Sequence, residues 1–289
     1  MLTFDLHYHT NVYLTRPATR KKRLMRHLDI MKLNKLDFVA STEHGYKAPL
    51  DAWLYLVDVA KDLPTHIIPG VEAVSKEGVD IIFLYRNEDD FRNGLKNLKP
   101  FHWSVWDMKN VADATNAISV IAHPFTPGTS GIVTQAGVAG LRRLLPDADY
   151  VEAHNGSGLF LTRSAEKNPT LAANRTLKKI YQQKARFTAD LPRQFVAGAS
   201  GATISSDAHF PEHQLIVGAA NVEQSQRDNW FEVLKQRPEF SRHLTARYHE
   251  CDLNRSEDRR TLAMMQCILG EAIYKKRLKT LHKFSRSGS

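Results

Sequence analysis

Leu2-Thr3-Phe4-Asp5-Leu6-His7-Tyr8-His9 opens the chain, and its reading decides the fold. Residues 2–7 are a short apolar, β-prone run, and it delivers two histidines two positions apart just where it ends. Six more such runs follow at 36–41, 67–74, 80–85, 118–122, 150–153 and 202–206, with helical stretches between them. Leu24, Leu28 and Met31 mark one helix by their i, i+4, i+7 spacing, and Trp53, Leu56 and Val57 mark another. Strands alternating with helices predict α/β units around a mainly parallel sheet. Almost every run ends in a polar side chain: His7 and His9, Glu43 and His44, Glu72, His123, His154, then Asp207 and His209. The C-terminal ends of strands are where α/β barrels and sheets place their sites.

The 289 residues are 42% hydrophobic, ample for a core, and a disordered chain is excluded. No run approaches the ~18 apolar residues of a membrane helix, and Met1 to Asp5 has neither the basic nor the apolar region of a secretory leader. The expectation is a cytoplasmic protein with no membrane partner; its oligomeric state is not legible. Cys251 and Cys267, without a CxxC or a second pair, argue against a disulfide framework and against a thiolate zinc site. The net charge of +9 comes from two segments: Arg16, Arg20, Lys21, Lys22, Arg23 and Arg26, then Lys275, Lys276, Arg277, Lys279, Lys283 and Arg286. Without those twelve, 28 bases face 31 acids. Such segments meet phosphate, nucleic acid or only water.

Residues 1–256 read as one large domain, within which 168–199 are mainly helical and 186–194 a turn or surface loop. Leu262, Met265, Leu269, Ala272 and Ile273 then describe an amphipathic helix that opens a C-terminal part, 257–289, ending in the basic tail.

A lone HxH is weak evidence, because thirteen histidines in this length yield about 0.6 such pairs by chance. Geometry strengthens it. Residues i and i+2 of a strand share a face, so His7 with His9, and Asp207 with His209, can turn toward one ion. Imidazoles mixed with carboxylates suit zinc, manganese or iron, whereas calcium and magnesium prefer all-oxygen shells. His27, His66, His102, His243, His249 and His282 lack motif context and read as core or surface groups; Glu212 and His213 read as a solvated loop. The aromatic stretch Phe101-His102-Trp103-Ser104-Val105-Trp106 reads as packing before it reads as a stack for a base.

Five motifs in order, Asp5-Leu6-His7-Tyr8-His9-Thr10, Ser41-Thr42-Glu43-His44, Pro69-Gly70-Val71-Glu72, Ala122-His123-Pro124 and Ser206-Asp207-Ala208-His209, resemble those of the polymerase and histidinol phosphatase (PHP) family. The resemblance implies a distorted seven-stranded β/α barrel with two or three divalent ions at the C-terminal ends of the strands, and phosphoester hydrolysis as the chemistry. Carried over, it implies a first metal site of His7, His9, Glu72 and Asp207. A second would share Glu72, add His123, and take His154 as a further ligand, because residues 80–85 lack the histidine many members carry there. A third would use His44 and His209, but the Asp or His usual five or six residues after the HxH is absent, and Tyr13-Leu14-Thr15-Arg16 stands there instead. Glu43 replaces the family's Asp and reads as a supporting group. Arg16 and the basic run after it are the candidates to meet a substrate phosphate in place of part of that third site.

The family's chemistry implies a water activated by metal, with no side-chain nucleophile; no GxSxG elbow is present. The leading expectation is hydrolysis of a small phosphomonoester, with the phosphorylated small molecule as partner. A nuclease or nucleotide phosphodiesterase, favoured by the basic segments, is the second reading. The third is a metal-binding regulatory module with reduced activity, favoured by the missing ligand.

Overall fold

The computed structural model describes residues 1–12, 16–126, 130–173, 175–195 and 201–268. Its strands are β1 (Leu2–Tyr8), β2 (Phe38–Ser41), β3 (His66–Val74), β4 (Asp80–Leu84), β5 (Ile118–Ile121), β6 (Tyr150–Asn155), β7 (Gly201–Ser205), β8 (Ile216–Ala220) and β9 (Phe240–Leu244). They form one sheet in the order β7-β6-β5-β4-β3-β2-β1-β8-β9. The count is therefore nine and not seven. The added pair, β8 and β9, is an antiparallel extension on the far side of β1. Its runs Ile-Val-Gly-Ala-Ala and Phe-Ser-Arg-His-Leu are too mixed, with a central glycine in one and polar residues through the other, to signal strands.

The sheet is also less parallel than the pattern predicts. β1–β2, β2–β3, β5–β6 and β6–β7 are parallel, while β4 runs antiparallel to both β3 and β5. The cause is the link from β3 to β4, residues 75–79, which turns at Gly78 with φ 76°. A parallel return needs a dozen or more residues.

The sheet curls until its β7 side meets β1. The seam is made just past β7, where Asp207 N–H donates to the His7 carbonyl at 2.9 Å and His9 N–H to the Ala208 carbonyl at 3.1 Å. The Asp5 carboxylate completes it, accepting from the Ser206 amide at 3.0 Å and hydroxyl at 2.7 Å. The result is a nearly closed barrel. Phe4, Leu6, Phe38, Ile68, Ile82, Ile118, Val120 and Tyr150 fill its interior, and Trp230, Phe231 and Leu234 close the end where β1 begins. A second apolar layer lies between sheet and helices.

Helix Pro17–Asn34 shows how the outer layer is built. Proline at its start has no N–H to leave unpaired, and Lys35 ends it in the left-handed conformation. Leu24, Leu28 and Met31 are buried as their spacing predicts, each contributing on the order of 1.5–3 kcal/mol. His27 is buried with them, its Nδ1 2.6 Å from the Tyr8 hydroxyl, which ties the helix to β1.

Residues 186–194 are helical, not a loop. Phe187, Thr188, Ala189, Leu191 and Pro192 are buried, and an apolar face is what keeps a short helical piece ordered. Helix Ser256–Ile268 begins at the expected place; Asp258 forms a buried ion pair with Arg247, and Leu262 packs beside Phe160, Leu161, Leu215 and Cys251. Leu269, Ala272, Ile273 and the basic tail lie outside the described residues.

Three buried histidines are held neutral: His27, His154 and His213 are each pushed down to about 3, by burial first and then by neighbouring positive charge. A lowered folded-state value means the unfolded chain binds the protons first, near 6.5, so stability is full above that pH and declines as pH falls toward 3. Denaturant unfolding of chelator-treated protein at pH 7 and pH 5 should show this loss. His27→Phe should flatten the dependence by up to about 1.4 kcal/mol per pH unit; an unchanged slope would contradict the assignment.

Candidate metal centre

The site stands at the seam end of the barrel, on the last residues of strands and the loops just past them. Two irregularities aim its side chains. In β1 the register with β2 slips between Asp5 and Tyr8, so Phe4 and Leu6 fill the interior while Tyr8 packs outward on His27 and His7 turns into the cluster. In β6 the slip falls between Glu152 and His154. Such a bulge reverses the alternation of faces. Glu152 and Asn155 therefore both reach the cluster, and His154 turns aside.

Seven of the expected residues converge. The ligand atoms of His7, His9 and Asp207 lie within 4.8 Å of one another, as do those of His7, Glu72 and His123, and those of His9, His44 and His209. His7 Nε2 is 3.0 Å from His9 Nε2. Asp207 Oδ1 has ring nitrogens of His7 and His9 at 3.4 Å and of His209 at 3.3 Å, yet accepts no hydrogen bond. A buried carboxylate oxygen that accepts no hydrogen bond although three ring nitrogens face it is the donor arrangement a cation requires. Glu72 is central, with Oε1 2.8 Å from His123 Nε2 and Oε2 2.7 Å from His44 Nδ1.

Glu152, which none of the sequence motifs singles out, organises this set. Its Oε1 is 3.2 Å from His7 Nδ1, which directs that ring's Nε2 toward Asp207. Its Oε2 accepts from the His123 amide at 2.8 Å and from Asn155 Nδ2 at 2.9 Å. Asn155 Nδ2 also donates to Asp207 Oδ2 at 2.9 Å. The close pass that allows this needs Gly156, where a Cβ would come 2.9 Å from the Ser206 carbonyl oxygen. His123 at φ 27° and Asp207 at φ 47° hold left-handed backbone that such residues rarely adopt.

Glu43 supports His9: one oxygen is 3.5 Å from His9 Nδ1, and the other accepts from the Asn11 amide at 2.6 Å and the Thr10 hydroxyl at 3.2 Å. The group of His44 and His209 finds its third donor in His9, a sharing that a search among residues 13–16 could not reveal. Tyr13, Leu14 and Thr15 lie outside the described residues. Arg16 is exposed at the N-cap of its helix, Arg20 bonds the Tyr55 hydroxyl, and Arg26 pairs with Glu212. Arg23 is the member of the run that approaches the site, its Nε donating to the Thr10 carbonyl at 2.8 Å. His154 joins none of the three groups; its Nδ1 accepts from Arg193 at 3.1 Å. Glu212 and His213 are buried, not solvated, with His213 against Phe160 and Phe210. Trp103 packs on Phe83 as expected of a core residue, while Phe101 is exposed.

Charge in the cluster is balanced internally. Burial opposes ionisation throughout, but His44 and His7 hold Glu72 well below the usual carboxylate range, and His7 and His209 do the same for Asp207. Against burial, Asp207, Glu152 and Glu72 raise His7 well above its ordinary value, and Glu72 raises His123 to about 9. A cation would replace those protons. Asp80 is a carboxylate in the strand where the family pattern leads one to expect a histidine. It opens that strand on the same face as Glu72, and burial, then the Glu72 charge, push it up to about 7.

No family model matches the sequence, and no curated protein matches it. Solved structures do. PsfC from Pseudomonas syringae PB-5123 shares the fold at a TM-score of 0.55 and 18% identity, over 92% of this chain and 97% of PsfC. The lesion-specific endonuclease PfuEndoQ from Pyrococcus furiosus gives a TM-score of 0.48 at 12% identity, over 83% of this chain and 57% of its own. Endonuclease Q in complex with a 27-mer duplex bearing an abasic lesion gives 0.45 at 13%, over 80% and 56%. This chain thus spans little more than half the length of the endonuclease Q chains.

Removing the Glu152 anchor should loosen the ligands without emptying core volume. Glu152→Gln is expected to weaken metal retention by about 10–100-fold in chelator competition, with circular dichroism unchanged. Retention equal to the wild type would show that His7 is oriented by other contacts.

Proposed function

We propose that this chain is a metal-dependent phosphoesterase of the PHP kind. The observation that carries this reading is the convergence of His7, His9, His44, Glu72, His123, Asp207 and His209, from five separate segments, on one end of the barrel. His7, His9, Glu72 and Asp207 would hold one cation; Glu72 and His123, with Asp80 in reach of their charge, a second; His9, His44 and His209 a third. Nitrogen and oxygen donors of this kind suit zinc, manganese or iron. When bound, such cations supply Lewis acidity and a water whose pKa falls toward neutrality.

The chain's own residues do the rest. Asn155 and Glu152 fix the Asp207 and His7 ligand atoms, so nothing needs reorganising as charge builds on a phosphate. His209, with its side chain 41% exposed, and His44, at 15%, form the open side through which an ester can approach. Of the two esters the sequence allows, we favour the phosphodiester of a nucleotide or nucleic acid over the small phosphomonoester. Lys47, bonded to Asn11 and close enough for its charge to act on Glu43, sets a cationic side chain beside the cluster, as a substrate extending past the scissile phosphate would require.

Assay with added manganese, zinc or iron should give cleavage of bis(p-nitrophenyl) phosphate and of 5′-labelled oligonucleotides above that of simple phosphomonoesters. The reverse ranking restores the phosphatase reading, and no turnover on any ester leaves a metal-binding regulatory module. Asp207→Asn and His9→Ala should each abolish turnover in folded protein; wild-type rates in either would contradict the site. Elemental analysis should find two ions after dialysis and a third only with added metal, because His44 and His209 are less buried than the other residues of the cluster. His209→Ala should remove that third ion alone.

A further inference from the structure

His154, expected to hold metal, instead belongs to a cationic corner beside the cluster. The corner is built by the helical insertion between β6 and β7, residues 159–195. Lys184, on helix Arg175–Ala185, lays its methylenes over Gly158, where a Cβ would come 2.9 Å from its Cγ. Its Nζ makes one long bond, 3.3 Å, to the Ser157 carbonyl, and its charge is felt by Asp207 and His213. Arg193, on helix Leu191–Phe195, donates to His154 Nδ1. That bond places the proton of a neutral His154 on Nε2, making the ring a donor on its other side. Arg242 on β9 adds positive charge.

None of Lys184, Arg193 and Arg242 forms an ion pair with a carboxylate among the described residues. Several other surface arginines either pair with an acid, as Arg26 does with Glu212, Arg86 with Glu232 and Arg237 with Asp149, or lie over an aromatic ring, as Arg142 and Arg143 do. Cations gathered without an acid, at the edge of a site for an anionic substrate, are short of an anion. We propose that Lys184, Arg193 and His154 form a subsite for a second phosphate of the substrate, on the Asp207 side of the metal cluster. The proposal rests on the phosphoesterase reading. It adds which side chains grip the group next to the scissile phosphate.

Thymidine 5′-phosphate, thymidine 3′,5′-bisphosphate and the dinucleotide pTpT, supplied with manganese, separate the subsite from the reaction centre. The wild type should show a KM at least about tenfold lower for the two substrates with a second phosphate, the size of one charge-assisted bond. Lys184→Gln and Arg193→Gln should erase that difference while leaving kcat and the KM for thymidine 5′-phosphate unchanged. Preference confined to pTpT assigns the second phosphate to a nucleic acid chain, and preference confined to the bisphosphate assigns it to a small molecule. Variants that keep the full preference, or that lose equally on all three, overturn the subsite. Titration calorimetry of thymidine 3′,5′-bisphosphate on chelator-treated protein covers the case of no turnover. Binding weakened about tenfold by Arg193→Gln supports the subsite even if the phosphoesterase reading falls, and binding that is absent or unchanged overturns it.

Discussion

One carboxylate, Glu152, holds the site in register. Its two oxygens are shared among the His7 ring, the His123 backbone and the Asn155 amide, and Asn155 passes the constraint to Asp207. The candidate ligands His7, His123 and Asp207 are thereby fixed relative to one another by a residue that is itself about 1% exposed. A buried carboxylate with every partner in place is rigid, whereas the same group with a partner missing costs free energy.

The left-handed backbone of His123 and Asp207 follows from the same arrangement. Each such conformation costs on the order of 1–3 kcal/mol and persists only where its surroundings over-determine it. Here the surroundings are identifiable. The His123 amide is captured by Glu152, and the Asp207 amide by the His7 carbonyl. Folding energy from the apolar interior is thus spent on aiming two ligands at a common point.

Much of this was legible in the primary structure, and the failures have local causes. All seven runs read as strands are strands, because β-branched clusters bounded by polar residues are a strong local signal. Seven of the eight expected ligands meet, because chemistry concentrates at strand ends. His154 misled because alternation assumes a regular strand, and the slip at residue 153 leaves no mark in composition. Its neighbour Glu152 carries no motif signal for the same reason. Asp80 offers oxygen where the family pattern has nitrogen, and the antiparallel turn of β4 is written in the five-residue link before it. β8 and β9 carry too few β-branched residues to be seen without their partners.

The seam between β1 and the end of β7 is stitched by the backbone of the ligands themselves: Asp207 to His7, and His9 to Ala208. A cation held by those side chains would therefore also clamp the last joint of the barrel, and its loss would be felt first as fraying of that joint. Closure and metal loading become a single linked equilibrium, in which occupancy raises the cost of opening by the binding free energy. A loaded chain would then open less often than an empty one, and would be cut more slowly by a protease that needs the open form.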